Sequence, residues 1–336
     1  MARGGATSLV LYRNLGNRNF EALPLTQATG DTSSLTVGDF DNDGDLDIFD
    51  NNTDGYCHLL RNDGTGNFEN LTDAEPVLEP GRTTGSAWGD YDNDGWLDLF
   101  VARTSQRSKD GDHQDSLFRN RGDGTFERIE AGSLSHDDLD SNGAAWADFN
   151  NDGFLDLAVG HENGPSRLYQ NTGNTNHWLM LKLVGTVSNR SALGAQIRLQ
   201  ARIQGQILTQ YREIGTTAGF GDNDPRAHFG LADATRAEDI QIRWPNGRVQ
   251  TLENITAGQI LTIIEPGAAP RLRASTANTL TITGDPATTY AVESSTNLAQ
   301  WTPERDLAVT TDATGQGSLA MPAIEAGILF LRIVVP

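Results

Sequence analysis

A single cysteine, Cys57, stands in 336 residues, so no internal disulfide can form. In the apolar strand Tyr56 to Leu60 its expected role is that of a small core residue rather than a nucleophile. Long apolar runs are missing too. Nothing approaches the ~18 residues that a membrane-crossing helix needs, and Met1 to Leu11 lacks the long apolar core of a secretion signal. Basic residues are scarce, 25 Lys and Arg against 45 Asp and Glu, giving a formal charge of −20. A deficit of that sign argues against nucleic-acid binding, which needs a basic face. It names no partner, because solubility alone accounts for it. Catalytic signatures are absent as well. There is no GxSxG elbow and no HExxH, and His161-Glu162-Asn163 has no second histidine at the required offset.

What the chain does have is three acidic nonapeptides, DFDNDGDLD at 39–47, DYDNDGWLD at 90–98 and DFNNDGFLD at 148–156. Each has side-chain oxygens at positions 1, 3, 5 and 9 and a glycine at position 6, the arrangement that lets a loop wrap a hard cation. Calcium takes six to eight oxygens, and a sharp turn at position 6 frees the position-7 carbonyl. The candidate ligands are Asp39, Asp41, Asp43, Asp47 and the Asp45 carbonyl in the first loop. The second offers Asp90, Asp92, Asp94, Asp98 and the Trp96 carbonyl, and the third Asp148, Asn150, Asp152, Asp156 and the Phe154 carbonyl. Runs of Asp, Asn and Gly also make plain turns. Three copies with the same positions filled favour three calcium sites over that reading. Without a cation the crowded carboxylates would repel, raise their pKa values or open the loop. Three bound calcium ions would bring the charge to about −14.

A second signature follows each loop: LLRN at 59–62, LFRN at 117–120 and LYQN at 168–171, with a further LYRN at 11–14 ahead of the first. Phenylalanine-ended turns come next at Gly66-Asn67-Phe68 and Gly124-Thr125-Phe126, and more loosely from Asn17 to Phe20. The loops begin 51 and then 58 residues apart, the extra length falling in the polar stretch Thr104 to Asp115. Short apolar runs flank each loop, as in Leu35-Thr36-Val37 and Leu99-Phe100-Val101. Several short strands repeating at this period indicate propeller blades.

These residues resemble the FG-GAP/VCBS repeat family over about residues 7–174. The resemblance implies propeller blades with calcium in the acidic loop. An EF-hand is excluded because position 12 is Asp50, Val101 and Val159 instead of a bidentate Glu; dockerin and thrombospondin repeats pack their loops much closer. Three full repeats and an orphan tail fall short of the four to eight blades of a closed ring. The expectation is therefore an open arc in domain 1–174, read as amino-terminally incomplete, or able to associate through an open blade edge.

Residues 175–266 read as strands: Trp178–Val184, Ala195–Ala201, Ile207–Ile214, Asp239–Trp244 and Gln259–Ile264. Asn189 to Ala195, Arg212-Glu213-Ile214, Gly219-Phe220-Gly221, His228 to Leu231, Ile242 to Gly247 and Glu265 resemble the ASPIC/UnbV domain. That family implies no agreed reaction. Relatives often carry Ser-Gln where this chain has Asp222-Asn223-Asp224, read as a turn. Arg212 and His228 are the polar residues of interest, read as hydrogen-bonded structural groups. Residues 270–336, after the linker Gly267 to Pro270, resemble a small fibronectin/immunoglobulin-like sandwich, with Trp301 anchoring its core. Asn51, Asn70, Asn189 and Asn254 each begin an N-x-S/T sequon, a weak signal alone.

The fold class expected is thus all-β: a partial, open-arc propeller, a β-rich domain and a small sandwich. The function expected is a non-catalytic, calcium-stabilised binding or adhesion protein, extracellular or on the cell surface, with an unknown protein or glycan as partner. Extracellular calcium modules bind weakly, at about 10⁻⁴ to 10⁻³ M, and fill only outside the cytosol. Two alternatives stay open: a secreted polysaccharide lyase or hydrolase, and an assembly module of a larger protein. Arg, His, Lys or Tyr gathered in one cleft away from the loops would favour the enzyme.

Overall fold

The computed structural model describes residues 7–53, 56–104, 114–130, 132–134, 139–162, 164–215, 224–267, 271–276, 279–284, 288–295, 302–311, 316–320 and 330–334. Trp301, Gly219 to Asn223 and most of the Thr104–Asp115 stretch lie outside the described residues. The described chain is almost wholly β-sheet, mostly antiparallel, and divides into two compact units, residues 1–183 with 191–263, and residues 184–190 with 264–336.

The first unit begins with a hairpin, β1 (Thr7–Gly16) and β2 (Asn19–Gly30). Two four-stranded blades follow. The first is β3 (Thr32–Gly38), β4 (Asp47–Asn52), β5 (His58–Asn62) and β6 (Phe68–Asn70). After a short helix α1 (Glu75–Leu78) comes β7 (Thr83–Gly89), β8 (Asp98–Arg103), β9 (Ser116–Asn120) and β10 (Phe126–Ile129). The third blade has three strands, β11 (Ser141–Ala147), β12 (Asp156–His161) and β13 (Arg167–Tyr169). Each blade is a meander in chain order, and the acidic loop joins its first strand to its second. First strands β3, β7 and β11 contact one another in turn and form the hub. Among the described residues the β1–β2 hairpin packs its Leu9, Leu11, Leu25 and Ala28 on Ile48 and Leu60 of the first blade and shares no core with the third, so the sheets make an arc and not a ring.

Blades pack face to face, and the period-2 alternation of a strand divides its side chains between two neighbours. In β8, Leu99 and Val101 enter the core shared with the first blade, while Phe100 and Ala102 enter the core shared with the third. Cys57 is buried, its sulfur 3.2 Å from the Thr83 hydroxyl, and so takes the core role expected of it, although the observed strand β5 begins one residue after it instead of at Tyr56. The position-2 aromatic of each of the first two loops receives the tryptophan of the next blade. Phe40 and Trp88 stack at 5.9 Å, and Tyr91 and Trp146 at 6.4 Å. Phe149, the third member of this series, is 49% exposed.

Residue 177 onward leaves the blades. Strand β14 (His177–Val184) pairs with β17 (Ala227–Ala232) and β20 (Gln259–Ile264). A second sheet runs β16 (Gln206–Glu213), β15 (Gln196–Ile203), β18 (Arg236–Arg243), β19 (Val249–Thr256). The two sheets enclose a core of Leu181, Ile197, Leu199, Phe229, Ile240 and Trp244. Strands β17 and β19 are additions to the sequence reading. The β17 run is wholly buried and so shows no alternation, and the apolar residues of β19, Val249, Leu252 and Ile255, fall three apart, so neither displays a period of two in its sequence.

The second unit is a pair of three-stranded sheets, β21 (Arg271–Thr276), β22 (Thr279–Thr283) and β25 (Gln316–Ala320), and β24 (Thr302–Thr310), β23 (Thr289–Ser295) and β26 (Phe330–Val334). Ile282, Tyr290, Val292 and Val309 form its core. Glu265 belongs to this unit. Its carboxylate accepts the N–H groups of Thr186, Val187 and Ser188 at 2.7–2.9 Å, and these bonds hold it below the usual carboxylate range against the effect of burial.

Candidate metal centres

The three acidic loops repeat one backbone. Position 4 is an asparagine with positive φ, 58° at Asn42, 60° at Asn93 and 60° at Asn151. Position 6 is glycine at φ 101°, 97° and 90°, a region that L side chains rarely enter. The position-1 carboxylate accepts the N–H groups of positions 5 and 6. For Asp39 these are Asp43 and Gly44, both at 3.1 Å. For Asp90 they are Asp94 at 3.0 Å and Gly95 at 2.9 Å, and for Asp148 they are Asp152 at 3.1 Å and Gly153 at 2.9 Å. The position-5 carboxylate accepts the position-7 N–H at 2.9–3.0 Å in all three.

Position 9 does more than offer an oxygen. One oxygen of Asp47, Asp98 and Asp156 accepts the position-2 N–H, at 3.1, 3.1 and 3.2 Å. The other accepts the backbone N–H of Asn62, Asn120 or Asn171 at 2.8 Å. Those asparagines end the Leu-x-x-Asn signature. Their side-chain amides donate to the position-8 carbonyls of Leu46, Leu97 and Leu155 at 3.1–3.2 Å. Asn120 and Asn171 also reach back to Phe40 and Tyr91 carbonyls of the preceding loop, both at 2.8 Å. In the forward direction, Asn42 donates to the Gly95 carbonyl at 3.0 Å and Asn93 to that of Gly153 at 3.1 Å. Each loop is thus bonded to its neighbours through asparagines that sequence reading noted only as a repeat mark. The recurrence of LxxN after every loop was the signal.

Carboxylate oxygens of Asp39, Asp41 and Asp43 lie within 4.8 Å of one another, as do those of Asp90, Asp92 and Asp98. Asp41 Oδ1 and Asp92 Oδ1 are buried and accept no hydrogen bond. An ionised oxygen left so is costly unless a cation meets it. These all-oxygen clusters could hold a hard metal ion. Asp148, Asp152 and Asp156 do not gather as closely; Asn150 Nδ2 donates to Asp152 Oδ2 at 2.7 Å, tying the third loop's position 5 to its position 3. Burial lifts the Asp47 carboxyl to about 8 and that of Asp39 to about 7, the latter opposed by the Arg212 charge. Burial, then the charge of Asp94, lifts Asp92 to about 6. Asp90 and Asp98 are pushed well up by burial and by neighbouring aspartates.

The β14–β20 region lies on these loops. Gly230 N–H donates to Asp90 Oδ2 at 3.0 Å, and Ala232 N–H to the Asn93 carbonyl at 2.9 Å. His228 Nε2 meets the Gly153 carbonyl at 3.1 Å, and burial holds its pKa down at about 4. Arg226 spans Asp224, the Asp148 carbonyl at 2.7 Å and Asn151 Oδ1 at 2.7 Å. Arg212 lies 5.4 Å from the Phe229 ring centre and shares the fields of Asp90 and Asp39. Arg212 and His228 were expected as structural groups. What the sequence concealed is that they bear on the acidic loops. Asp224 pairs with Arg226, while Asp222 and Asn223 lie outside the described residues. Among the described residues no helix is long and apolar enough to cross a membrane, which does not bear on crossing by strands.

Comparison with known proteins matches the FG-GAP-like repeat to residues 1–49, 51–101 and 101–159, and the ASPIC and UnbV family to residues 185–270. Cartilage acidic protein 1 of Xenopus tropicalis is 27% identical over 272 residues, 76% of this chain and 40% of that protein. The Homo sapiens protein of the same name is 26% identical over 269 residues, again 76% of this chain and 40% of the relative. The chain therefore spans less than half the length of these relatives.

Proposed function

We propose that this chain, an FG-GAP-like repeat protein with an ASPIC/UnbV domain, is a calcium-stabilised binding protein that works outside the cell. Its calcium ligands are Asp39, Asp41, Asp43, Asp47 and the Asp45 carbonyl; Asp90, Asp92, Asp94, Asp98 and the Trp96 carbonyl; and Asp148, Asn150, Asp152, Asp156 and the Phe154 carbonyl. A bound ion would supply positive charge to carboxylates that burial otherwise penalises. The carrying observation is the loop backbone repeated three times, with a buried, unpartnered position-3 oxygen at Asp41 and Asp92. In this reading the ions brace the surface on which the second domain rests, and the blades present their outer loops to a protein or glycan.

The test is thermal melting of the full chain with calcium, magnesium or excess chelator. A ligand of the folded state adds about 1.4 kcal/mol per site at tenfold excess over Kd, so three independent sites add roughly 4 kcal/mol. Calcium should raise the melting temperature and magnesium restore little. An unchanged curve in chelator would refute the reading.

One observation bears on the enzymatic alternative without meeting the condition set for it. A cavity of about 240 Å³ brings Tyr211, Arg212, Arg226 and His228 together with Asp39 and Asp90. It adjoins the acidic loops instead of standing away from them, and Arg226 is committed to Asp224 and loop three. Reducing-sugar release from polysaccharide, lost in His228→Gln, would establish that activity in place of simple binding.

A further inference from the structure

The arginine of each Leu-x-Arg-Asn strand faces a glutamate across the hairpin. Arg13 stands opposite Glu21 and pairs with it, and Arg61 stands opposite Glu69 and pairs with it. The second blade departs from this rule. Arg119 stands opposite Glu127, but its Nε meets Asp92 Oδ2 at 2.7 Å and its Nη2 meets Asp94 Oδ2 at 3.1 Å. Glu127 pairs at 2.8 Å with another arginine, Arg121. Two guanidinium groups thus share three carboxylates, and two of those three are candidate cation ligands. A divalent ion that takes the free Asp92 Oδ1 together with Asp94 neutralises the two carboxylates that hold Arg119 and so weakens their grip on it. Glu127 is then the one carboxylate of the three whose charge the ion does not cancel, and it faces two guanidinium groups.

Both arginines line an open cleft of about 590 Å³ with Trp96, Gln204 and Gln206. Their side chains are 41% and 53% exposed, so a ligand can reach them. Trp96 is the position-7 residue of the second loop. A Cβ at Gly122 would come within 2.4 Å of its indole, so this glycine permits the ring to lie against the turn beside Arg121. A guanidinium fork matches a carboxylate or sulfate. Side-chain amides both donate and accept, as adjacent hydroxyls require, and an indole offers flat apolar surface. An acidic peptide would use the arginines but has no hydroxyl pattern for the glutamines.

We infer that the cleft formed by Trp96, Arg119, Arg121, Gln204 and Gln206 is a binding site for an acidic sugar, and that a cation in the second loop arms it by releasing an arginine from Asp92 and Asp94. The inference rests on the calcium reading of that loop and adds a ligand class to it.

The experiment uses the full chain and two titrations. Calorimetry with calcium alone comes first; absence of binding would end both readings. The second titrates a hexuronic acid disaccharide in calcium, in magnesium and in chelator, with its methyl ester as neutral control and a sulfated disaccharide to separate the two anionic groups. Binding should be about tenfold tighter in calcium, the worth of one good charge-assisted contact, and absent for the ester. Arg119→Gln and Arg121→Gln should each remove most of that gain while still binding calcium and melting normally. Glu127→Gln, which frees an arginine without calcium, should bind the disaccharide in chelator as well. If calcium binds but the disaccharide responds neither to calcium nor to the two arginine variants, the cleft assignment fails and the calcium reading survives. Chelation of the loop ion by the sugar would persist in both arginine variants and equally overturn it. A tetra-aspartate peptide bound as tightly, with the same arginine dependence, would overturn the saccharide assignment.

Discussion

Replacing the asparagine that closes each Leu-x-x-Asn strand should cost stability in a graded way. Asn120 is 1% exposed. Its amide donates to Phe40 and Leu97 carbonyls at 2.8 and 3.1 Å, and its Oδ1 accepts Gly122 N–H at 2.9 Å. Asn171 makes the same three bonds, to Tyr91, Leu155 and Gly173. Asn62 makes two, to Leu46 at 3.2 Å and from Gly64 at 3.1 Å. Alanine removes all of these bonds and strands backbone groups that are buried at position 120 but reachable by water at 62. At about 1 kcal/mol per net hydrogen bond, more where a buried group is left unmet, Asn120→Ala should lose about 3 kcal/mol, Asn171→Ala slightly less and Asn62→Ala about 1 kcal/mol. Urea denaturation in saturating calcium, read as a midpoint shift at constant slope, measures the series. Asn120→Asp keeps the acceptor but turns a charge toward two carbonyls, and should cost at least as much as alanine. Equal losses at 62 and 120 would show that the bond reaching into the preceding loop contributes nothing, and the blade-to-blade argument would fall.

Three further outcomes are expected. In chelator, stability should decline from pH 6.5 to 8, because Asp47 and Asp39 titrate near 8 and 7 in the fold against an ordinary value of 3.8. A raised carboxylate pKa stabilises below the unfolded value, and that stability is lost as pH rises through the folded one. Above its ordinary value of 6.5, His228 is largely neutral whether folded or not and adds little opposing slope. Calcium, which needs ionised ligands, should reverse the trend; a chelator curve rising over this range would contradict it. Gly230→Ala should weaken the second calcium site about tenfold in calorimetry. Its Cβ would lie 2.1 Å from Asp90 Oδ2 and within 2.6 Å of Asn93 backbone, forcing β17 away from the loop; three unchanged sites would defeat this. Arg119→Gln should tighten calcium at the second loop about threefold by removing a competing, partly exposed cation, and a weakened site would show that the arginine supports binding instead.

The loops, the strands around them and the meander order were legible because they depend on neighbours in sequence. Asp39 and Asp43 are four residues apart, and Leu99 and Phe100 alternate between adjacent cores as a doubly covered strand must. The Gly230 bond to Asp90 was not legible, since it spans 140 residues and uses only a backbone N–H. Position 7 was read as serving through its carbonyl alone, yet the Trp96 ring lies against Gly122. His228 and Arg212 were recognised as residues of interest, but their placement on the acidic loops follows from how β16 and β17 meet the blades, which no local pattern encodes.

The stacking of Trp88 on Phe40 and of Trp146 on Tyr91 means that the unit of sequence repetition and the unit of folding are offset by a strand. A cut made just before β7 separates the first acidic loop from the aromatic ring that covers it, although every residue of that loop is retained. A recombinant fragment meant to isolate one metal loop must therefore run on to the tryptophan of the following blade. A chimera that exchanges blades should place its junctions between that tryptophan and the next acidic residue, within Trp88-Gly89-Asp90 for the first loop and Trp146-Ala147-Asp148 for the second.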